Sequence, residues 1–353
     1  MHNVVLSDKE NKHMSEKKIW GSLLHLGRNF WSDRPYPRPA NMAGRYPIPE
    51  NLPPEIKKLK VLQRSMDGYH DKLRFDENTW NKAVGRIRDK GLNMVVIDLG
   101  EGLRYPSHPE IAAKDAWSPE KLRGEIKRLK DMGIEAIPKL NFSTTHCAWM
   151  GEYRRLVSTP EYYRVCEDVI RDVCEIFDTP RFLHLGYDEE DYDHMRGYDF
   201  VPIRQGELWW HDFLFTVRCV EKCNVRAWIW SDKIWHHRDE FVKRMPKSVL
   251  QSNWYYCGDF NPDKKNGLYP MVHAYDWLEE AGFDQVPCVS NCGDWNMLKT
   301  NPDLTANYCK KIIAPERLKG MLIAPWCCTT EDFLPWIDES TDLLAAARKI
   351  IEG

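Results

Sequence analysis

The feature that most constrains the fold is a regular alternation of short apolar segments with longer segments of helical spacing. Eight apolar segments of strand length recur along the 353-residue chain. They are Ile19–Leu26, Met94–Leu99, Glu135–Leu140, Phe182–Gly186, Arg226–Trp230, Val249–Asn253, Val286–Ser290 and Met321–Pro325. Parallel strands need crossover connections, usually helices, so this order favours a parallel sheet covered by helices. Eight such units predict a single (β/α)8 TIM barrel of class α/β.

The alternative is an open, doubly wound sheet. Its nucleotide-binding version is disfavoured because no GxGxxG sequence follows a strand and opens a helix. The helices themselves are well marked. Residues Pro160–Phe177 keep apolar side chains at helical spacing, Ser158 or Thr159 can cap the start, and Pro160 suits the first turn. A second helix is predicted over Ser118–Met132.

The domain organisation is predicted to be simple. Residues 1–16 are expected to be a disordered or tag-like tail, and residues 17–353 the barrel. Residues 34–54 hold seven prolines and are expected to form a long ordered loop after the first strand, because the alternation continues on both sides.

Composition excludes several classes of function. The net charge is −3, so the strongly basic surface expected of a nucleic-acid-binding protein is absent. No apolar run approaches the roughly 18 residues of a membrane span. The 11 cysteines lack zinc-finger spacing and are predicted to be mostly buried free thiols, which favours a reducing compartment. The 15 tryptophans must fill a core or a ligand site.

The residues after each predicted strand indicate the chemistry, because barrel active sites lie at the carboxyl ends of the strands. Acidic and aromatic side chains gather there, and this composition is typical of a carbohydrate site. They include Trp31, Asp98, Glu101, Asp188, Glu189, Trp230, Asp232, Trp254, Asp294 and Trp326.

The strongest local signal is FLHLGYDEED, residues 182–191. Asp188 and Glu189 directly follow an apolar strand, and neighbouring carboxylates in a partly closed pocket push each other's pKa values apart. One can then serve as a general acid while the other stays ionised. A solvated acidic loop is the alternative interpretation.

HLGYDE resembles the H-x-G-G-D-E motif of glycoside hydrolase family 20, the β-N-acetylhexosaminidases. The likeness covers roughly residues 18–330 in the same order. GSLLHLGRNFW is similar to the family's R-G-x-x-L-D-x-x-R strand, GIEAIPKLNFSTTHCAW to its G-I-x-V-I-P-E strand and D-x-P-G-H turn, and LIAPWCC to its closing W-x-E.

The resemblance implies substrate-assisted hydrolysis without a cofactor, in which the substrate's 2-acetamido oxygen attacks the anomeric carbon. Asp188 would orient the acetamido group and Glu189 would be the general acid/base. The substrate would be a carbohydrate with a terminal sugar. Residues expected to bind that sugar are Arg28, Asn141, His146, Tyr187, Trp230, Asp232, Trp254, Asp294 and Trp326.

The chain also departs from the family pattern. Tyr187 replaces the second glycine of the motif, and Asn141 replaces the aspartate that normally pairs with the histidine at His146. Cys292 stands where the family has a tyrosine, with Asp294 after it, and Cys328 where it has a glutamate. These changes alter the recognition of acetamido and hydroxyl groups while the acid pair is kept.

Three alternatives therefore stay open. A sugar without an acetamido group would need another nucleophile or base, and Asp98, Glu101, Asp232 and Asp294 are the candidates. A metal-dependent hydrolase or isomerase would use His146, Asp188, Glu189, Asp232 and His236, although no metal is predicted. The third alternative is a non-catalytic glycan-binding barrel.

The sequence leaves the oligomeric state and the compartment open. The free thiols favour the cytoplasm, whereas the family resemblance favours a periplasmic or secreted enzyme whose signal peptide has been removed.

Overall fold

The computed structural model describes residues 17–33, 50, 52–195, 198–291 and 299–353. The predictions for the tail at 1–16, for most of the proline-rich stretch, and for Cys292 and Asp294 lie outside the described residues. Of residues 34–54, the structure describes 50 and 52–54, and a helix begins at Pro54.

The fold is a (β/α)8 barrel, as the alternation predicts. Its strands are β1 (Ile19–His25), β2 (Met94–Asp98), β3 (Glu135–Lys139), β4 (Phe182–His184), β5 (Arg226–Trp230), β6 (Leu250–Ser252), β7 (Cys288–Val289) and β8 (Gly320–Ile323). All neighbouring strands pair in parallel in the order β6-β5-β4-β3-β2-β1-β8-β7. Backbone hydrogen bonds from Val286 to Gln251 and from Cys288 to Asn253 join β7 to β6 and close the ring.

Helices cover the outside of the ring. They are α1 (Pro54–Ser65), α2 (Glu77–Asp89), α3 (Pro119–Asp131), α4 (Pro160–Ile176), α5 (Tyr192–Met195), α6 (Gly206–Lys222), α7 (Lys233–Arg244), α8 (Tyr269–Glu280), α9 (Asn301–Ile312) and α10 (Leu334–Glu352). Of the two predicted caps of α4, Thr159 is the one used: its Oγ1 accepts the Tyr162 N–H. Ser118 Oγ caps α3 in the same way by accepting the Lys121 N–H. These bonds satisfy amides at the helix starts that have no partner within the helix.

The core has two layers. Side chains such as Leu23, Val96 and Ile137 fill the barrel, while Val165 and Val169 of α4 pack between sheet and helices. Since the side chains of a strand alternate between its two faces, one strand contributes to both layers.

A polar layer lies at the carboxyl end of the barrel interior. The register places His25 beside Asp98, Asp98 beside Lys139, and Lys139 beside His184. Lys139 Nζ lies 2.6 Å from Asp98 Oδ2, and all four side chains are buried. A buried charge must be paired, and this ion pair meets that need. The layer forms the floor on which the candidate site rests.

The described cysteines are free thiols, which agrees with the prediction from their spacing; most of them, including Cys166, Cys174 and Cys288, are buried. Among the described residues, no helix has the length and apolar character needed to cross a membrane.

Candidate active site

The loop after β4 presents two adjacent carboxylates at the mouth of the barrel. At Gly186 φ is 72°, and a Cβ there would lie 2.0 Å from Asn141 Oδ1, so only glycine fits. Tyr187 and Glu189 also have positive φ, 71° and 55°. Positive φ is uncommon for residues with side chains, and such strain persists where surrounding contacts hold it, most often at functional sites.

Asp188 is held by two side chains from the loop after β3. Its Oδ1 accepts a hydrogen bond from Asn141 Nδ2 at 2.8 Å, and its Oδ2 lies 3.3 Å from His146 Nε2. The Ser143 hydroxyl donates to the Asp188 carbonyl. Because Asn141 Oδ1 also accepts the N–H groups of Ser143 and Tyr187, this one side chain fixes both loops.

Glu189 lies between two imidazoles. Its Oε2 is 3.2 Å from His146 Nε2 and its Oε1 is 3.3 Å from His194 Nε2. Burial would raise the pKa of Glu189, but the charges and hydrogen bonds of His194 and His146 outweigh it and hold the pKa well below its usual range. Glu189 is therefore an ionised carboxylate in this arrangement, and the nearby protons reside on the imidazoles.

His146 has an unequal environment at its two nitrogens. Burial would lower its pKa, but Asp188 and Glu189, both facing Nε2, raise the pKa to about 10. Its buried Nδ1 has no hydrogen-bond partner among the described residues. The sequence predicts that His146 loses a charged partner when asparagine stands at position 141; in the structure His146 Nε2 contacts the carboxylates of Asp188 and Glu189.

Asp232, at the end of β5, completes a group of three carboxyls. Its Oδ2 accepts the backbone N–H of Glu189 at 2.9 Å, and its Oδ1 lies 3.3 Å from Trp254 Nε1. Burial, together with the charge of Asp188, raises the pKa of Asp232 to about 7. Neighbouring carboxyls with separated pKa values are typical of acid–base sites.

Arg28 presents unused donors at the first strand's end. Its Nη2 donates to the Trp326 carbonyl at 3.1 Å and lies 3.4 Å from Asp67 Oδ1, and the guanidinium stacks 4.2 Å from the Trp31 ring centroid. Nε and Nη1 are buried without a partner in the described part of the chain. Buried donors without partners are costly, so a ligand acceptor such as a hydroxyl fits there.

Aromatic rings line the mouth. The Trp326 ring lies 5.8 Å from Trp230 and 6.5 Å from Tyr256, and Tyr256 stacks on Trp254 at 5.4 Å. The indole N–H groups of Trp230 and Trp326 are buried and find no acceptor among the described residues. Apolar faces with unused donors at their edges suit a sugar, which offers C–H faces and hydroxyl acceptors.

Tyr187 departs from the sugar-binding prediction. Its ring is buried against Trp209 and Phe213 of α6, and its hydroxyl shares a 2.8 Å hydrogen bond with Thr216 Oγ1. The ring therefore packs behind the loop, while the carboxylate of Asp188 faces Asn141 and His146. The positive φ of 71° at Tyr187 turns the ring away from the mouth and toward α6.

Two of the alternative nucleophiles are committed to structural contacts. Asp98 lies in the ion pair with Lys139, and Glu101 accepts the backbone N–H groups of Arg28 and Asn29. Asp232 is the described candidate that remains at the site, and Asp294 lies outside the described residues.

Two site residues were not predicted. His194 is reached by one turn of the short helix α5, and Tyr256 follows Trp254 at the end of β6. The short spacing between Glu189 and His194 and the alternation of Trp254 and Tyr256 could have indicated these two residues. Neither pattern shows which way the side chains point, because that depends on the loop geometry.

Several solved structures similar to this chain are of β-N-acetylhexosaminidases and related GH20 enzymes. The GH20 exo β-N-acetylglucosaminidase from Vibrio harveyi matches 93% of this chain and 54% of its own, at 12% identity and a TM-score of 0.56. The β-N-acetylhexosaminidase from Bacteroides fragilis NCTC 9343 matches 92% of this chain and 65% of its own, at 13% identity and a TM-score of 0.57. The GH20 β-N-acetylhexosaminidase from Streptomyces coelicolor A3(2) matches 93% of this chain and 64% of its own, at 10% identity and a TM-score of 0.58.

The chain thus spans about half to two thirds of the length of these enzymes. Neither a protein-family model nor a curated protein sequence matches it. Identities this low establish the fold alone: the chain has a GH20-like barrel whose sequence has diverged.

Proposed function

We propose that this protein is a glycoside hydrolase that removes a terminal 2-acetamido sugar, an N-acetylhexosaminide. Asp188 and Glu189 are its proposed catalytic residues. The observation that carries the proposal is the geometry of these adjacent carboxylates at the carboxyl end of β4. Each has its own polar partners, and both lie at a mouth lined with tryptophans. The resemblance of HLGYDE to the family motif and the shared fold support the same assignment.

Asp188 is suited to orient the acetamido group. Asn141 and His146 hold its carboxylate in one position, so an oxygen can accept the acetamido N–H. The acetamido carbonyl oxygen then attacks the anomeric carbon while the bond to the leaving oxygen breaks. A fixed negative charge at this point stabilises the positive charge that develops on the oxazolinium-type intermediate.

Glu189 is the proposed acid/base. It delivers a proton to the leaving oxygen, and in the second step it takes a proton from the water that opens the intermediate. Its carboxylate is 26% exposed, so a substrate can reach it. Because its pKa is held low, the proton must first be supplied by a neighbour, and the imidazolium groups 3.2 and 3.3 Å away are the nearest sources.

Arg28, Trp230, Trp254 and Trp326 are proposed to bind the sugar. The unused N–H groups of Arg28, Trp230 and Trp326 would donate to hydroxyl oxygens of the sugar. The tryptophan rings would cover the apolar face of the sugar. Asp232 borders the same space through Trp254 and Glu189.

Hydrolysis of a plain glycoside is the nearest alternative, and Asp232 is its described nucleophile or base. Its pKa, raised to about 7, lies in the range that suits a general base at neutral pH, so the comparison of acetamido and plain substrates decides between the two routes.

A metal site is the second candidate. Ligand atoms of His146, Asp188 and Glu189 lie within 4.8 Å of one another. In the structure, however, His146 Nε2 faces both carboxylates, at 3.3 Å from Asp188 Oδ2 and 3.2 Å from Glu189 Oε2, as an N–H donor does. The arrangement therefore favours carboxylate–imidazolium pairing. Elemental analysis of the purified protein, with activity measured before and after chelation, tests this alternative.

The proposed function is tested with an aryl N-acetyl-β-glucosaminide and three variants. Glu189→Gln and Asp188→Asn should each lower kcat by at least about 10²-fold, the scale of general acid–base and electrostatic contributions. Asp193→Asn, an exposed acid on α5, is the matched control and should keep near-normal turnover. Glycan binding by wild type and Glu189→Gln alike, without turnover by either, would instead identify a glycan-binding barrel.

A further inference from the structure

The two oxygens of Glu189 face different histidines, and among the described residues only His194 has a carboxylate behind its ring. We propose that Asp191 and His194 form a positioning pair for Glu189. The inference rests on the proposed function and adds residues to the same site.

The pair is built by the short helix α5. His194 Nδ1 lies 2.6 Å from Asp191 Oδ2, and its backbone N–H donates to Asp191 Oδ1 at 2.9 Å. Its other ring nitrogen, Nε2, lies 3.3 Å from Glu189 Oε1. A carboxylate, an imidazole and a second carboxylate therefore follow one another. Because both ring nitrogens face carboxylate oxygens, which only accept hydrogen bonds, the ring is an imidazolium, and Asp191 fixes the direction of its Nε2–H.

His146 shows what such a pair supplies. It approaches Oε2 of the same carboxylate at 3.2 Å, yet its Nδ1 has no described partner, and Asn141 uses its side chain on Asp188, Ser143 and Tyr187. In the described part of the chain, no carboxylate fixes the His146 ring from its Nδ1 side. His194 has one.

The described charged groups that face Glu189 are balanced. Asp188 and Asp232 are the acids on its own loop and at the end of β5, and His146 and His194 are the bases. Burial would lower the pKa of His194, but Glu189 and Asp191 raise it to about 9. His194 therefore holds a proton beside Glu189 at neutral pH.

This contact gives the acid step a proton. As the glycosidic bond breaks, His194 Nε2 gives its proton to the Glu189 carboxylate, which gives one proton to the leaving oxygen. His194 becomes neutral and Glu189 stays a carboxylate. When water attacks, Glu189 accepts the water proton and returns one to His194. Each proton lost in the first step is regained in the second.

The test is the pH dependence of kcat/KM for the aryl N-acetyl-β-glucosaminide. His194→Ala should lower kcat at neutral pH at least about tenfold, part of the ~10²–10⁴-fold range of acid–base catalysis. His194→Gln keeps a side-chain donor but not the charge, so it should retain more kcat than His194→Ala. In Asp191→Asn the basic limb of the profile should move to lower pH by about one unit, because the removed carboxylate no longer stabilises the proton on His194. In His194→Gln the limb that His194 sets should be absent. His237→Gln, at an exposed histidine on α7, is the control.

A purely structural role would lower the melting temperature and leave the basic limb of the pH profile in place. An unchanged basic limb in both variants would overturn the proposal.

A second readout needs no turnover. The imidazole of His194, followed by NMR, should titrate well above 6.5 in wild type and nearer 6.5 in Asp191→Asn. Titration of His194 near 6.5 in wild type would also overturn it. If Glu189→Gln abolishes turnover while the His194 variants match wild type, the pair fails and the proposed function stands. If wild type cleaves no glycoside while His194 titrates as expected, the pairing stands and the proposed function fails.

Discussion

Raising the pH above about 6.5 should destabilise the protein, because two histidines bind their protons more tightly in the folded state than in the unfolded chain. The pKa of His146 is about 10 and that of His194 about 9, against an ordinary value near 6.5. A group whose pKa is raised by folding contributes stability that is complete below its unfolded pKa and is lost as the pH rises toward its folded pKa. The loss therefore begins near pH 6.5 and continues to between pH 9 and 10.

The magnitude follows from linkage. Between pH 6.5 and 8.5 the unfolded chain releases a proton from each histidine that the folded chain keeps. This lowers the free energy of unfolding by about 2 kcal/mol per histidine, and by no more than about 4 kcal/mol together, since both act on one carboxylate. Both side chains are mostly buried, 4% and 18% exposed, so solvent screens them little.

The assay is urea unfolding in reducing buffer at pH 6.5, 7.5 and 8.5. The raised pKa of Asp232, about 7, lowers stability mainly between pH 4 and 7 and adds little above that range. Wild type should lose several kcal/mol across the window, and His146→Gln and His194→Gln should each lose about 2 kcal/mol less. A free energy of unfolding that is flat in wild type, or equally steep in both variants, would refute the pairing of these histidines with Asp188 and Glu189.

Three further substitutions separate packing from chemistry. Tyr187→Phe removes the hydrogen bond to Thr216 and should cost about 1 kcal/mol in urea unfolding, with kcat/KM unchanged. Arg28→Lys keeps the charge but not the two unused N–H groups, so kcat/KM should fall at least about tenfold in a steady-state assay; an unchanged value would remove Arg28 from the sugar site. Asn141→Asp restores the family residue but places a carboxylate where Asp188 now receives a 2.8 Å hydrogen bond. It should lower both kcat and the free energy of unfolding at pH 8, the latter by about 2 kcal/mol; a gain in either would show that His146, not Asp188, governs this position.

The fold was predictable because it depends on periodicity. The observed strands fall inside or within one residue of the eight predicted segments, and the helix at Pro160–Ile176 begins at the predicted cap. Strand ends locate the mouth of a barrel, so Asp188, Glu189 and Asp232 could be placed at one rim from sequence alone.

The site's details were less predictable because they depend on loop geometry. Tyr187 was expected to bind sugar, but positive φ at positions 186 and 187 turns its ring toward α6. His194 was missed because one helical turn, rather than any strand, brings it back to Glu189. Its pairing with Asp191 depends on a direction that spacing does not supply.

The most direct test of the central claim compares two aryl substrates, an N-acetyl-β-glucosaminide and the matching β-glucoside, in wild type and Glu189→Gln. Acetamido assistance predicts that wild type cleaves the acetamido substrate and leaves the plain glucoside nearly untouched, and that Glu189→Gln loses the cleavage. Equal cleavage of both substrates would contradict the account, because the 2-acetamido group would then have no part in the reaction and Asp232 would become the residue to test as nucleophile.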